Sequence, residues 1–325
     1  MNRLCRYLHS RNCTVLTIVV AAIMTYVAFR YGHVNEITGS RGTLFESPNR
    51  WLAPGMLSLI ISLLLMVVTA FSFQSLNKVF NFMRAPSALT STLYVVMLTS
   101  LPMAAGQFYG GTLLCLVILA ITALLFSCYA DPSATRRVFL IFFILSIASL
   151  VQYAFMFYIL VAIPGLAQMR ILNFRSVLAM ILGIITPVWI LYGFGAMELS
   201  DIGWPHFVNS ITRLSLPGMI TVFTAVGLTM LIGFAAMCGN LMKILGYNAK
   251  FRAFNGFLSF LLIFTMLLMI IDYVNISVYF PLLCLTGAYQ VAHYLSMRGP
   301  RSVVWTMGSI VILYLVIYAA SYYFV

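Results

Sequence analysis

Apolar runs long enough to cross a lipid bilayer follow one another along almost the whole chain, and this spacing constrains the fold more than any other feature. A membrane-crossing helix needs about 20 mostly apolar residues. Of the 325 residues, 63% are hydrophobic and only 7% are charged, whereas soluble domains carry about 25% charged residues. The chain lacks the charged surface of a soluble protein. We therefore expect a single integral membrane domain over residues 1–325.

The run 176–195 sets the expected orientation of all the others. Arg170 and Arg175 precede it, and Glu198 and Asp201 follow it. Basic residues collect on the cytoplasmic side of short membrane loops, so the end with the two arginines should face the cytoplasm. When the other runs are arranged on this basis, all 18 basic residues except Arg30, Arg41, Arg50 and Arg213 fall on the cytoplasmic side.

The predicted fold is all-α, a polytopic transmembrane helical bundle in the cell inner membrane, with a cytoplasmic N-terminus and an external C-terminus. About 11 spans fit the chain length. The predicted spans cover residues 14–29, 51–73, 88–104, 111–130, 138–152, 154–169, 176–195, 216–238, 257–271, 278–297 and 303–323.

The stretch 138–169 allows either one long helix or two short ones. Arg136 and Arg137 precede it and Arg170 follows it, and an even number of crossings keeps all three on the cytoplasmic side. We therefore predict a tight hairpin that turns near Gln152 and Tyr153, with arms short enough to require a locally thin bilayer.

Candidate site residues are concentrated in the two long loops on the expected external side. A carboxylate at a membrane surface can act as a general base, so the candidate catalytic residues are Glu36, Glu198, Asp201 and His206. The alternative is that these acids are solvated loop residues without a role, because their spacing does not distinguish a site from a solvated face.

A substrate groove has two candidate residues. Trp204 lies in the second external loop, and Pro187 is expected to kink the span 176–195. If the kink only improves helix packing, Pro187 has no role in a groove.

Other chemistry has little support in the sequence. His293 is the one ionisable residue at least a turn inside a predicted span, and an interfacial histidine bonded to a neighbouring helix explains it. The absence of further such groups argues against a proton pump or ion-coupled carrier. The six cysteines form no CxxC pair, so we expect no metal site and no cofactor. The basic residues lie in small groups between apolar runs, a pattern that argues against nucleic-acid binding.

Two segments carry a family resemblance: 80–102, FNFMRAPSALTSTLYVVMLTSLP, and 168–195, QMRILNFRSVLAMILGIITPVWILYGFG. They resemble a family of multipass proteins from Bacteroidetes whose activity is not established. The resemblance implies an inner-membrane location and a fold of roughly ten to eleven spans. It implies no site residue.

Three functions fit these observations. The first is an enzyme of envelope biogenesis that acts on a lipid or lipid-linked sugar at the external face. Its arrangement of spans is similar to that of polyprenyl-dependent glycosyltransferases of the C-type fold, although the loop 31–50 is much shorter than theirs and Glu36 lacks Asp-rich surroundings. The second is a non-catalytic transporter or lipid-handling protein. The third is a structural partner in a membrane complex. The expected partners are the lipid bilayer and, for the first function, a lipid-linked substrate.

Overall fold

The computed structural model describes residues 2–34, 37, 44–52, 55–83, 88–198 and 215–324. Every regular element in this part of the chain is helical. The α-helices are α1 (Asn2–Leu8), α2 (Arg11–Arg30), α3 (Met56–Phe80), α4 (Ala88–Thr99), α5 (Pro102–Ala105), α6 (Gly110–Ser127), α7 (Thr135–Val151), α8 (Phe157–Gln168), α9 (Phe174–Gly193), α10 (Leu216–Leu241), α11 (Ala249–Ile271), α12 (Ile276–Leu295) and α13 (Pro300–Phe324). Short 3-10 turns occupy Pro48–Arg50, Tyr153–Phe155, Ile244–Gly246 and Tyr273–Asn275.

Eight of these helices, counted over the described residues, are long and apolar enough to cross a bilayer: α2, α3, α6 and α9 to α13. Large apolar side chains on their outer faces are exposed, such as Trp189 at 70%, Leu231 at 68% and Ile312 at 62%. So much exposed apolar surface is stable only against lipid. The prediction of an all-α, multipass membrane bundle is confirmed at this level. The number of crossings and the side that each terminus faces stay predictions.

Consecutive long helices run in opposite directions, so helix ends collect at two ends of the bundle. At one end, the Ala130 amide donates to the Met169 carbonyl (N···O 3.0 Å), and Asn255 Nδ2 donates to the Phe82 carbonyl at 3.3 Å. At the other, the Tyr318 hydroxyl donates to the Met24 carbonyl at 2.9 Å.

Basic residues are segregated between these two ends. We call the first the basic end, because the helix termini and loops there carry most of the Lys and Arg residues of the described chain. These residues are Arg3, Arg6, Arg11, Lys78, Arg136, Arg137, Arg170, Arg175, Lys243, Lys250, Arg252, Arg298 and Arg301. Arg30 and Arg50 lie at the opposite end. Which end faces the cytoplasm stays a prediction.

Helix α12 is the centre of the bundle. It packs against α4, α6, α10 and α11. Within its most apolar stretch of 18 residues, 94% of the residues are buried, although this stretch is the least hydrophobic among the eight helices. Since protein rather than lipid surrounds it, this helix can carry polar side chains that a lipid-facing helix would expose at high cost.

The stretch 138–169 contains two helices. Helix α7 ends at Val151, Gln152 adopts an extended conformation, and the chain passes through the Tyr153–Phe155 turn into α8. The contact between Ala130 and Met169 at the basic end shows that the two helices are antiparallel. Whether each arm crosses the bilayer stays a prediction.

The stretch that we predicted as one span over 88–104 is interrupted. Helix α4 ends at Thr99, and Leu101 is extended (φ −110°, ψ 101°) before Pro102 starts α5. A residue before proline is disfavoured in the helical region because the proline ring clashes with it. The prediction missed the break because the run stays apolar through it.

Candidate functional site

Most of the predicted site residues lie outside the part of the chain that the structure describes. Glu36, Asp201, Trp204 and His206 lie outside the described residues. Glu198 follows α9 and is exposed. The assignment of catalytic residues to the two long external loops therefore stays a prediction.

Pro187 lies in a helix–helix contact. The buried residues of α9 are small and follow helical spacing along one stripe: Ser176, Ala179, Gly183 and Pro187. A Cβ on Gly183 would come within 2.7 Å of the Phe139 carbonyl oxygen in α7. Ser146 Oγ of α7 donates to the Ile184 carbonyl at 2.8 Å, next to the Gly183 carbonyl that Pro187 deprives of its helical donor. These contacts join α9 to α7, and they support the packing role for Pro187.

A concave groove of about 570 Å³ runs between α2, α4 and α13. We call it the α2–α13 groove. Its walls come from one face of α2 and one face of α13, and α4 forms its floor. The lining side chains are mostly aliphatic: Leu4, Leu8, Leu16, Val20, Ala21, Met24, Val96, Val304, Met307, Val311, Ile312 and Leu315 are among them. Leu16 and Ile312 are 54% and 62% exposed, so the groove opens on the outer surface of the bundle.

The hydroxyl groups on the floor of this groove are already hydrogen-bonded within the protein. Thr92 Oγ1 donates to the Ala88 carbonyl at 3.0 Å, Thr99 Oγ1 to the Val95 carbonyl at 2.7 Å, and Ser100 Oγ to the Met97 carbonyl at 2.7 Å. A helical Ser or Thr bonded to its own backbone offers no free donor to a ligand.

The two tyrosines of α13 that line the groove are bonded in the same way. The Tyr318 hydroxyl donates to the Met24 carbonyl at 2.9 Å, and the Tyr314 hydroxyl lies 2.7 Å from Thr229 Oγ1. The groove is therefore chemically apolar in spite of its Ser, Thr and Tyr content. It suits a hydrocarbon chain better than a polar solute.

The groove is long relative to the bilayer. Its lining on α13 extends from Val304 to Tyr318, a rise of about 21 Å, or about two thirds of the hydrocarbon thickness of a membrane. Helix α1 forms part of its wall at the basic end, where Leu4, Tyr7 and Leu8 contribute.

A second site, of the opposite character, surrounds Asp272 at the other end of the bundle. Asp272 lies between α11 and the Tyr273–Asn275 turn. Although it is an acidic residue at a helix end, it is only 5% exposed. Tyr279 donates to Asp272 Oδ2 at 2.7 Å, and Asn275 Nδ2 lies 3.0 Å from both carboxylate oxygens. Tyr153 donates from the α7–α8 turn at 3.3 Å, and Asn275 Nδ2 also donates to its hydroxyl.

Asp272 is held by neutral donors alone. No Lys or Arg of the described chain forms an ion pair with it. Burial raises the pKa of this carboxyl from its ordinary 3.8, and the hydrogen bonds from Tyr279, Asn275 and Tyr153 oppose that rise without cancelling it. The cluster ties the α7–α8 turn to α12.

Two unpartnered polar groups lie near this end. Gln152 is fully buried, and neither atom of its amide has a hydrogen-bond partner among the described residues. Its side chain fills the space beside Gly110, where an added Cβ would come within 1.7 Å of Gln152 Oε1. The buried Tyr109 hydroxyl has no described partner either. Buried groups of this kind are commonly satisfied by water.

A further polar layer crosses α12 toward the basic end. Asn240 Nδ2 donates to Gln290 Oε1 at 2.8 Å, and Gln290 Nε2 donates to Ser259 Oγ at 2.9 Å. His293, which we expected near an interface, is 2% exposed, and it stacks on Tyr289 with ring centroids 5.9 Å apart. These contacts join α10, α11 and α12, as polar side chains commonly do between membrane helices.

Sequence reasoning missed both sites for different reasons. The α2–α13 groove combines residues from three helices that are distant in sequence, and no local pattern marks it. The Asp272 cluster left a weak signal: Asp272, Asn275 and Tyr279 follow at positions i, i+3 and i+7, which lie on one side of a helix. Its partner Tyr153 is more than a hundred residues away and carries no such signal.

The part of the chain that the structure describes holds no group of three or more His, Cys, Asp or Glu side chains that fits a metal ion. No family model matches the chain, and neither a curated protein nor a solved structure is significantly similar to it. A proposal of function therefore rests on the geometry of the groove itself.

Proposed function

We propose that this chain is a lipid-handling membrane protein that binds a hydrocarbon chain of a membrane lipid in the α2–α13 groove. The observation that carries the proposal is a concave, outward-facing groove whose hydroxyl groups on α4 and α13 are already bonded within the protein. A polar solute would find few free hydrogen-bond donors there in exchange for its water, whereas an alkyl chain needs none.

Shape distinguishes this groove from ordinary lipid contact. The outer face of α9 is also apolar and exposed. However, α9 is buried only along a single stripe against α7, so a lipid chain on its outer face would contact one helix. The α2–α13 groove has walls on two sides and a floor, and a chain seated in it makes more dispersion contacts than a chain lying on one helix. Its occupant should exchange more slowly than bulk lipid.

The expectation of an enzyme of envelope biogenesis rests on different residues. Three of its four candidates, Glu36, Asp201 and His206, lie outside the described residues, and Glu198 alone makes no catalytic arrangement. A lipid-linked sugar also carries a hydrocarbon chain, so occupancy of the groove is compatible with that function. Lipid handling is the simpler proposal, because it needs only the groove.

Two exposed glycines make a matched test. Gly308 lines the groove on α13, and Gly227 lies on the outer face of α10; neither has an atom within 4 Å of an added Cβ. Gly308→Trp should fill the groove, and Gly227→Trp should add the same bulk to a lipid-facing surface. The protein would be reconstituted in vesicles with a lipid that carries a photoactivatable diazirine in its acyl chain.

We expect labelling of α2 and α13 peptides to fall at least several-fold in Gly308→Trp and to match the unmodified protein in Gly227→Trp. Membrane abundance and melting temperature report whether each variant is folded. Equal labelling of these peptides in both folded variants would show that the groove binds no lipid of its own.

A further inference from the structure

We infer that the α2–α13 groove takes a glycerophospholipid with a net negative headgroup, held by arginines at the basic end; this rests on the proposed function. The inference names the class of lipid and the residues that select it, neither of which follows from the apolar lining.

Three arginines, Arg3, Arg6 and Arg301, lie on the helix ends that bound the mouth of the groove, and a fourth, Arg11, is directed toward Phe71 of α3. Arg3 and Arg6 lie on α1 next to the lining residues Leu4 and Tyr7. Arg11 is the first residue of α2, two positions before the lining residue Cys13. Arg301, at the start of α13, lies one helical turn from the lining residue Val304. Helix α1 packs against α13, so the arginines of these helices belong to one face of the molecule.

These arginines are available to a ligand. All four are exposed, and none forms an ion pair within the described residues, where the pairs are Arg50 with Glu46 and Arg137 with Asp131. Arg11 does have a contact, since its guanidinium lies 5.6 Å from the centre of the Phe71 ring. A guanidinium presents several donors to a phosphate group, and a cluster of them favours a headgroup with net negative charge.

The position of the cluster fits the length of the groove. Its apolar lining begins within one turn of Arg3, Arg11 and Arg301 and continues toward Tyr318. A lipid whose phosphate is bonded at the mouth can therefore place its acyl chain along the groove. Other basic residues at this end, such as Arg175, Lys243 and Arg252, lie on or beside helices that contribute no lining residue to the groove. They provide a control for the general attraction of a basic surface to anionic lipid.

The test compares two triple variants that lose equal charge. Arg3→Gln, Arg6→Gln and Arg301→Gln remove the mouth cluster, and Arg175→Gln, Lys243→Gln and Arg252→Gln are the control; all six residues are exposed. Each protein is reconstituted with equal amounts of phosphatidylglycerol and phosphatidylcholine, one of the two carrying an acyl-chain diazirine. The measured quantity is the ratio of the two labels on α13 peptides.

We expect the unmodified protein and the control to favour phosphatidylglycerol by roughly tenfold, and the mouth variant to label with both lipids about equally. A preference in the unmodified protein that the control also loses would overturn the inference, because it would come from overall charge. Strong labelling without preference in the unmodified protein would overturn the headgroup inference and leave the proposed function standing. No labelling of the groove at all would remove the proposed function itself.

Discussion

The surroundings of Asp272 differ from those that its position at a span end suggests. It is an acid next to a predicted span end, as Glu198 is, yet it is buried among neutral donors whereas Glu198 is exposed. A carboxylate held by Tyr279, Asn275 and Tyr153 links the α7–α8 turn to the central helix. Such a cluster is costly to disrupt, because removing one partner leaves a buried polar group unpaired.

The raised pKa of Asp272 leads to a prediction about pH. The folded protein holds this proton more tightly than the unfolded chain does, so the stability gained by protonation is present below about pH 4 and is lost as the pH rises through the raised folded pKa. Asp272→Asn cannot ionise. As the pH rises from about 4 to 7, the melting temperature of the unmodified protein should therefore fall relative to that of the variant.

Asp131 provides the control of opposite sign. Hydrogen bonds from Ser133, together with Arg137, hold the pKa of this carboxyl below its usual range. The stability that it contributes is present above its unfolded pKa and is lost as the pH falls through the folded pKa. The melting temperature of the unmodified protein should thus fall relative to Asp131→Asn as the pH is lowered. Parallel pH profiles for the two Asn variants would contradict both assignments.

Among the described glycines, Gly110 is the one where an added Cβ has the least space. An added Cβ would come within 1.7 Å of Gln152 Oε1, and Gln152 is fully buried. Gly110→Ala should lower the free energy of unfolding by about 1–3 kcal/mol, the usual cost of overpacking. Thermal unfolding in detergent measures the change. The open position Gly227 is the control, where Ala should be neutral or stabilising by up to about 1 kcal/mol.

A second substitution tests the cause of that loss. If the clash with Gln152 is responsible, Gly110→Ala combined with Gln152→Ala should destabilise by less than the sum of the two single variants. Strict additivity would mean that Gly110 matters for another reason.

At the scale of the element, α9 and α12 show the two ways in which an apolar helix can be used. In the most apolar 18-residue stretch of α9 only 22% of the residues are buried, whereas 94% are buried in the corresponding stretch of α12. Helix α9 contacts the bundle through a stripe of small residues and faces lipid elsewhere. Helix α12 is surrounded by other helices and carries the polar side chains that join them, including Gln290 and His293.

The stripe on α9 predicts different outcomes for two of its members. Pro187→Ala should keep normal membrane abundance, because Ala also fits a close helix contact and restores a helical hydrogen bond. Gly183→Leu should reduce abundance several-fold, since the Phe139 backbone leaves no room for the side chain. Quantitative immunoblots of membrane fractions measure both. Loss of function in an abundant Pro187→Ala protein would instead favour a role for the kink.

At the scale of the whole molecule, the segregation of charge determines the expected orientation. Most described Lys and Arg residues lie at the basic end, and the mouth of the α2–α13 groove is there as well. If the positive-inside rule applies, the groove admits its lipid from the cytoplasmic leaflet.

Reporter fusions test this orientation. We predict that a periplasm-dependent reporter is active after Val325 and that a cytoplasm-dependent reporter is active after Arg252. A second fusion at Tyr247, which is close to Arg252 in the chain, should report the same side of the membrane. The reverse pattern at either end would overturn the predicted topology and assign the groove to the other leaflet.

The sequence by itself determined the solvent of this protein and much of its helical layout. Runs that are apolar over about 20 residues cannot be stable in water as separate helices, and charge at their ends limits how they are arranged. That argument needs no knowledge of which helices touch. The flanking arginines also indicated that 138–169 holds two helices rather than one, and the structure has two helices there.

Only the tertiary structure decided which helix is central and where the sites lie. In lipid, hydrophobicity does not distinguish a helix that faces the bilayer from one that faces other helices, because both surroundings are apolar. Burial of Asp272 depends on Tyr153, and the groove depends on α2, α4 and α13 meeting along their lengths. These contacts arise from packing between distant parts of the chain, and packing specificity is not encoded in a local hydrophobic pattern.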